Sequence, residues 1–167
     1  GGLELGLEWA GLGPVVWQAE SDPFKRSVLE RHWPGVKRYD DVRDIDNRAE
    51  RTDLICGGFP CQDLSVAGKR AGLSGGRSGL WFEFKRILSE VRPRWAIIEN
   101  VPGLLSSNRG RDFGVLLHGL DELGFAVAWA ILDAQHFGVP QRRRRVFVVG
   151  GPTRRSVEQV LSLCESC

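Results

Sequence analysis

The residues best suited to chemistry are a cysteine, a glutamate and a block of arginines, each beside an apolar run. Cys61 follows a short apolar run across two glycines, Glu99 ends a second run, and Arg142 to Arg145 lead into a third. A thiolate can act as a nucleophile. A carboxylate can exchange a proton or accept a hydrogen bond, and guanidinium groups bind carboxylates and phosphates. These residue types together indicate a catalytic pocket.

Each residue also has a structural explanation. Cys61 could be a packing residue, a metal ligand, half of a disulfide or a nucleophile, but a loop entered through Gly57-Gly58 is a poor place for core packing. A zinc site is poorly supported, since Cys56 and Cys61 have no second pair nearby. Cys164 and Cys167 form a lone C-x-x-C near the end of the chain. Four cysteines are too few for a disulfide scaffold and favour a reducing, intracellular setting.

Glu99 could simply end a strand, and the arginine block could be a solvated face. Strand alternation, however, places Arg143 and Arg145 on one side and Arg142 and Arg144 on the other. One pair could therefore enter a site while the other faces solvent or phosphate.

Apolar patterning predicts the elements that position these residues. Helices are expected near residues 3–10, from Pro23 after a Ser21 or Asp22 cap, over 80–91 and over 113–123. Strands are expected at 15–20, 54–56, 95–98, 125–132 and 146–149, with a long loop over residues 57–78. The alternation predicts an α/β domain with a largely parallel sheet and helices on both faces. In such sheets ligands bind at the carboxyl ends of the strands, where Glu20, Cys61 and Glu99 are expected.

The composition fits one globular domain. The chain has 167 residues, of which 42% are hydrophobic and 26% charged, with a formal net charge of +2. No apolar run approaches the roughly 20 residues that span a bilayer, so no membrane association is expected.

Taken together, these segments resemble the DNA (cytosine-5) methyltransferase family. GGFPCQDLSVAGKRAGL is similar to its nucleophile motif, IIENVPGLL to its carboxylate motif and LDAQHFGVPQRRRRVFVVG to its arginine motif. GGLELGLEWAG is similar to the end of its glycine-rich cofactor loop. The match implies a Rossmann-like, S-adenosylmethionine-dependent methyltransferase fold. We expect an incomplete catalytic domain over residues 1–150, lacking its first strand, and a polar tail over 151–167 that leads toward an absent target-recognition region.

The resemblance also implies the catalytic roles. Cys61 would attack carbon 6 of a cytosine flipped out of DNA, and Glu99 would hold ring nitrogen 3 and the exocyclic amine. Carbon 5 would then take a methyl group from S-adenosylmethionine, and loss of its proton and of Cys61 would release 5-methylcytosine. Arg143 and Arg145 would line the base pocket, with Arg145 near Glu99.

Further residues are carried over from the family's motifs. The cofactor would be held by Gly1, Gly2, Leu3, Glu20, Asp41, Pro60 and Leu80. Glu20 would bind the ribose and Asp41 the adenine, although Asp40 is adjacent and both could belong to a solvated acidic loop. Contacts with DNA are expected from Gln62, Ser65, Asn100 and Gln141, and no metal is expected.

The motifs are compatible with more than one substrate and partner. The expected partner is double-stranded DNA, and a second polypeptide that carries the target-recognition region is a further candidate partner. The expected location is the cytoplasm of a bacterium, with the protein encoded by the bacterium or a phage as part of a restriction-modification system. A tRNA cytosine-5 methyltransferase and a catalytically inactive DNA-binding or regulatory fragment are the alternatives. Because a sheet edge and the DNA-reading region are absent, the isolated chain is expected to be weakly active or inactive.

Overall fold

A computed structural model describes residues 1–60 and 79–162 of the chain. Within these residues the helices are α1 (Gly2–Trp9), α2 (Pro23–His32), α3 (Leu80–Val91), α4 (Arg111–Asp121) and α5 (Arg154–Ser162). The strands are β1 (Trp17–Ala19), β2 (Lys37–Tyr39), β3 (Leu54–Gly58), β4 (Trp95–Asn100), β5 (Ala126–Asp133) and β6 (Arg144–Gly151). None of the described helices is long and apolar enough to cross a membrane.

Helix α2 shows how local sequence sets these boundaries. Asp22 is the N-cap, and its carboxylate accepts hydrogen bonds from the backbone N–H groups of Phe24 at 2.9 Å and Lys25 at 3.2 Å. At the other end, the guanidinium of Arg38 donates to the carbonyl of Leu29 at 2.9 Å. Both ends therefore have partners for backbone groups that a helix leaves unpaired. The predicted cap at Asp22 is confirmed.

The strands form two sheets. In the larger sheet the order is β3-β4-β6-β5, and β1 pairs with β2 in a separate two-stranded sheet. The β1–β2 and β3–β4 pairs are parallel, whereas β6 is antiparallel to both of its neighbours. The α/β class is confirmed, but the larger sheet is mixed rather than largely parallel. The reason is the connection over residues 134–143, which lacks the crossover helix that usually joins parallel strands.

One face of the larger sheet carries the main core. Its buried strand residues are Ile55, Ala96, Ile98, Val146 and Val148, and they cluster with Trp81, Leu88, Leu116 and Leu120 of α3 and α4. The two helices approach closely at Gly119, where an added Cβ would lie 2.7 Å from Cζ2 of Trp81. A side chain at this position would overlap the indole, so glycine is what allows α3 and α4 to pack together.

The structure differs from the predicted elements at four places. Strand β2 was not predicted because Lys-Arg-Tyr lacks an apolar alternation. Glu99 and Asn100 lie within β4 rather than after it. Within the expected polar tail, residues 154–162 form helix α5, which is anchored by the fully buried Val157. Gly57 and Gly58 belong to β3, and the rest of the expected loop lies mostly outside the described residues.

Candidate active site

Glu99 and two arginines meet at one edge of the larger sheet. Nε of Arg145 lies 3.2 Å from Oε1 of Glu99, and Nη2 of Arg143 lies 3.5 Å from the same oxygen. The side chains are 28% exposed for Glu99, 24% for Arg145 and 47% for Arg143, so the cluster is accessible from solvent. The expectation that Arg143 and Arg145 share one side and that Arg145 lies near Glu99 agrees with this geometry.

The strand register explains how these residues meet. Glu99 of β4 pairs with Phe147 of β6, so Arg145, two residues before Phe147, lies on the same face of the sheet as Glu99. Arg143 precedes β6 and reaches the carboxylate from the connection. Both arginines contact Oε1, which orients the carboxylate from one side.

The end of β3 lies beside Glu99. Gly58 pairs with Glu99 in the parallel ladder, and a Cβ at Gly58 would lie 3.0 Å from the backbone oxygen of Glu99 and 3.7 Å from its Oε2. A glycine is therefore required for this close approach. The chain then continues through Phe59 and the exposed Pro60 toward Cys61, and Cys61 itself lies outside the described residues, as do Gln62 and Ser65.

Asn100 joins these two strand ends. Its Nδ2 donates to the carbonyl of Phe59 at 2.8 Å, and its Oδ1 accepts from the backbone N–H of Val101 at 2.9 Å. The residue is 6% exposed. Asn100 was expected to contact DNA, but its amide faces the core and is already used by backbone partners. The contacts favour a role in holding the segment before Cys61 rather than a direct contact with substrate.

Asp133 has a similar role for the arginine segment and was not singled out from the sequence. Its Oδ1 accepts from the backbone N–H of Arg143 at 2.9 Å, and the N–H of Ala134 donates to the carbonyl of Arg143 at 3.1 Å. The same carboxylate caps the short turn Ala134–Phe137 through the N–H of Gln135. An aspartate that ends an apolar strand is a recognisable capping signal, but its partner ten residues later is set by the fold. Gln141 is exposed in this connection.

A second group of acidic residues lies at the ends of β1 and β2. Glu20 follows β1 and is half-buried, and its Oε1 accepts from the N–H of Asp22 at 3.0 Å. Arg26 connects the two strand ends, because its Nη1 donates to the carbonyl of Glu20 at 3.4 Å and lies 3.0 Å from Oδ1 of Asp40. Asp41 instead caps the following turn through the N–H of Arg43 at 2.9 Å. Asp40 and Asp41 thus have different surroundings.

The remaining expected cofactor residues differ in exposure. Gly1 and Gly2 are exposed at the start of α1, Leu3 is half-buried in its first turn, and Leu80 is 37% exposed at the start of α3. No group of three or more His, Cys, Asp or Glu within the described residues is suited to hold a metal ion.

Cys56 is the one cysteine whose environment the described residues define. Burial raises the pKa of its thiol from 9.0 to about 12, and the negative charge of Glu4 adds to the increase. A thiol with so high a pKa carries almost no thiolate at neutral pH and is a poor nucleophile. The chemical properties of Cys56 therefore suit a structural residue.

Sequence comparison with known proteins decides the family. The family model for C-5 cytosine-specific DNA methylase matches residues 1–161. The chain belongs to this family. It is 42% identical over 153 residues to the type II methyltransferase M2.BsuMI of Bacillus subtilis (strain 168), covering 89% of this chain and 39% of that protein. It is 38% identical over 151 residues to M.BsuFI of Bacillus subtilis, covering 90% of this chain and 36% of that protein. The methylase chain thus spans well under half the length of these relatives.

Solved structures support the fold. The Dnmt2 methyltransferase of S. pombe matches with a TM-score of 0.74 and 19% identity, over 92% of this chain and 48% of that one. A putative DNA modification methyltransferase encoded within an E. coli prophage matches with a TM-score of 0.72 and 23% identity, over 90% and 43%. The expected family and the methyltransferase fold are confirmed.

Proposed function

We propose that this methylase chain carries the catalytic centre for methylation of cytosine carbon 5 in DNA, with S-adenosylmethionine as the methyl donor. The observation that carries the proposal is the carboxylate of Glu99, held by Arg143 and Arg145 beside the strand that leads to Cys61. Family membership supplies the reaction class, and the cluster supplies the polar groups that this reaction needs.

Glu99 is proposed to bind the edge of the target base. Because both arginines contact its Oε1, Oε2 is the oxygen directed toward Gly58 and the chain that continues to Cys61. A carboxylate oxygen there can accept a hydrogen bond from the exocyclic amine or exchange a proton at ring nitrogen 3. Interactions at nitrogen 3 offset the charge that develops in the ring when carbon 6 is attacked. Arg143, the more exposed arginine, is suited to the base carbonyl oxygen.

Cys61 is proposed as the nucleophile. Its thiolate forms a bond to carbon 6 and the electron pair of the 5,6 double bond makes carbon 5 nucleophilic. After carbon 5 is methylated, a base removes its proton and the C6–S bond breaks, which restores the ring and the thiolate. Carbon 6 is inaccessible in stacked DNA, so the target cytosine must be flipped out of the duplex.

The residues at the ends of β1 and β2 fit the proposed cofactor. Glu20 is half-buried with one oxygen used by Asp22, and a carboxylate of this kind suits the ribose hydroxyl groups. Asp41 lies at the end of the neighbouring strand and is suited to the adenine amine. Gly1, Gly2 and Leu3 at the start of α1, with Pro60 and Leu80, would complete the site. S-adenosylmethionine supplies the electrophilic methyl group when bound.

Contacts with DNA are proposed for Gln62, Ser65 and Gln141. The relatives are more than twice as long as the segment matched here. We propose that sequence recognition depends on a further region, either in the same polypeptide or in a second one. The bacterial type II relatives favour a role in a restriction-modification system, in a bacterial cytoplasm.

Transfer of a labelled methyl group tests the proposal. The intact protein, incubated with labelled S-adenosylmethionine, should methylate duplex DNA and leave tRNA unlabelled, and digestion of the product should give 5-methylcytosine. Glu99→Gln should abolish most of the signal, whereas Glu158→Gln, a change on the exposed face of α5, should not. Labelling of tRNA alone, or of adenine in DNA, would contradict the proposal.

A further inference from the structure

Arg86 of α3 holds a turn that is distant in sequence. Its Nη1 donates to the carbonyl of Ile45 at 2.6 Å, and its Nη2 donates to the carbonyl of Val42 at 3.1 Å. These two carbonyls belong to the short 3-10 turn Val42–Asp44 and to the residue that follows it. One guanidinium thus binds the two ends of a single turn.

The same guanidinium is fixed on its own helix. Its Nε lies 2.8 Å from Oε2 of Glu83, and its Nη1 lies 3.0 Å from Oε2 of Glu90. Burial alone would lower the pKa of Arg86, but the hydrogen bonds that Arg86 donates to Glu83 and Glu90 raise it overall, so the side chain stays charged. A planar fork with five donors can serve four acceptors at once, which the ammonium group of a lysine cannot do.

The turn begins with a residue of the proposed cofactor site. Asp41 is its N-cap, with Oδ1 bound to the N–H of Arg43 at 2.9 Å and Oδ2 bound to Nη1 of Arg43 at 3.0 Å. Ile45, at the other end, is 1% exposed and packs in the core. The position of Asp41 therefore depends on how the backbone from Val42 to Ile45 is held, and Arg86 holds both carbonyls.

We propose that Arg86 is a positioning residue for the adenine end of the cofactor site, acting through the turn that Asp41 begins. The inference rests on the proposed function, because it takes Asp41 as the adenine contact. Arg86 does not itself touch the cofactor. It fixes the backbone that presents the carboxylate of Asp41 to the base.

Binding of S-adenosylhomocysteine by the intact protein tests this proposal. Arg86→Met and Arg86→Lys should weaken binding about tenfold, the effect expected from loss of one or two net hydrogen bonds that order a binding turn. The matched control is Arg154→Met. Arg154 makes a similar pair with Glu158 four residues later, with Nε 2.8 Å from Oε1, and among the described residues it donates to no distant backbone carbonyl. This control should bind like the wild type.

A second probe separates positioning from general loosening of the fold. S-inosylhomocysteine has an oxygen in place of the adenine amine. It therefore lacks the amine from which Asp41 would accept a hydrogen bond. The wild type should prefer S-adenosylhomocysteine, and Arg86→Met should reduce that preference. An equal loss of affinity for both probes would show a structural role only, and unchanged affinity would overturn the inference. A wild type that binds neither probe would instead contradict the proposed cofactor.

Discussion

Replacement of Asn100 by alanine tests how the Glu99 strand is joined to the segment that leads to Cys61. The change removes the hydrogen bond to the carbonyl of Phe59 and the one from the N–H of Val101. Phe59 is 7% exposed, so loss of the Asn100 donor to its carbonyl should cost about 1–3 kcal/mol. Val101 is 39% exposed, and water can reach its N–H, so this loss should cost only ~0.5–1.5 kcal/mol.

The free energy of unfolding should therefore fall by about 1.5–4.5 kcal/mol in Asn100→Ala. Urea unfolding followed by circular dichroism measures it, with an unchanged m-value as evidence that only stability has changed. Asn100→Asp should be at least as destabilised, because it keeps an acceptor for Val101 but buries a carboxylate oxygen against the carbonyl oxygen of Phe59. The rate of methyl transfer should also fall, because the hydrogen bond from Asn100 no longer positions the backbone that leads to Cys61.

Asn47→Ala is the matched control. Asn47 is exposed, and exposed substitutions usually change stability by less than about 0.5 kcal/mol. If Asn100→Ala were as stable and as active as Asn47→Ala, the hydrogen bonds of Asn100 would contribute nothing measurable and the positioning role would be wrong.

Three further predictions concern packing, thiol reactivity and the carboxylate. Gly119→Ala should lower the free energy of unfolding by about 1–3 kcal/mol, because its Cβ would lie 2.7 Å from an indole carbon of Trp81. Gly114→Ala in the same helix meets no atom within 4 Å and should raise the free energy of unfolding by up to about 1 kcal/mol. Urea unfolding measures both changes. Iodoacetamide at pH 8 should label Cys61 and spare Cys56, as read by peptide mass spectrometry. Folding raises the pKa of Cys56 to about 12. The free energy of unfolding should therefore also decrease as pH rises above about 9, and Cys56→Ala should remove this part of the decrease. Glu99→Gln should lower the rate of methyl transfer by about 10²–10⁴-fold with a near-normal fold, measured in single turnover, and a loss of less than about fivefold would count against its role.

The contact of Glu99 with Arg145 was expected from the family resemblance, and local patterns account for part of it. Apolar runs identify β4 and β6, and the alternation of side chains places Arg143 and Arg145 on one side. The direction of β6 could not be read from those runs. Parallel and antiparallel neighbours both bury continuous apolar strands, and the direction follows from the short connection after Asp133.

Long-range polar contacts were the other part that the sequence could not supply. Arg86 binds carbonyls more than forty residues earlier, and Asn100 binds a carbonyl at the end of another strand. Such partners are set by tertiary packing and cannot be read from the motif in which a polar residue lies. Helix α5 was missed because its three apolar residues, Val157, Val160 and Leu161, lie in a short and mostly polar segment, and only Val157 is buried.

Covalent trapping tests the central claim most directly. DNA that carries 5-fluorocytosine at the target position is incubated with the intact protein and S-adenosylmethionine. Fluorine at carbon 5 cannot leave as a proton does, so the cysteine adduct should persist. The account predicts a stable complex in denaturing gels, with the modified peptide mapping to Cys61, and no complex for Cys61→Ala. An adduct that survives Cys61→Ala, or methylation of ordinary cytosine without any trapped adduct, would contradict it.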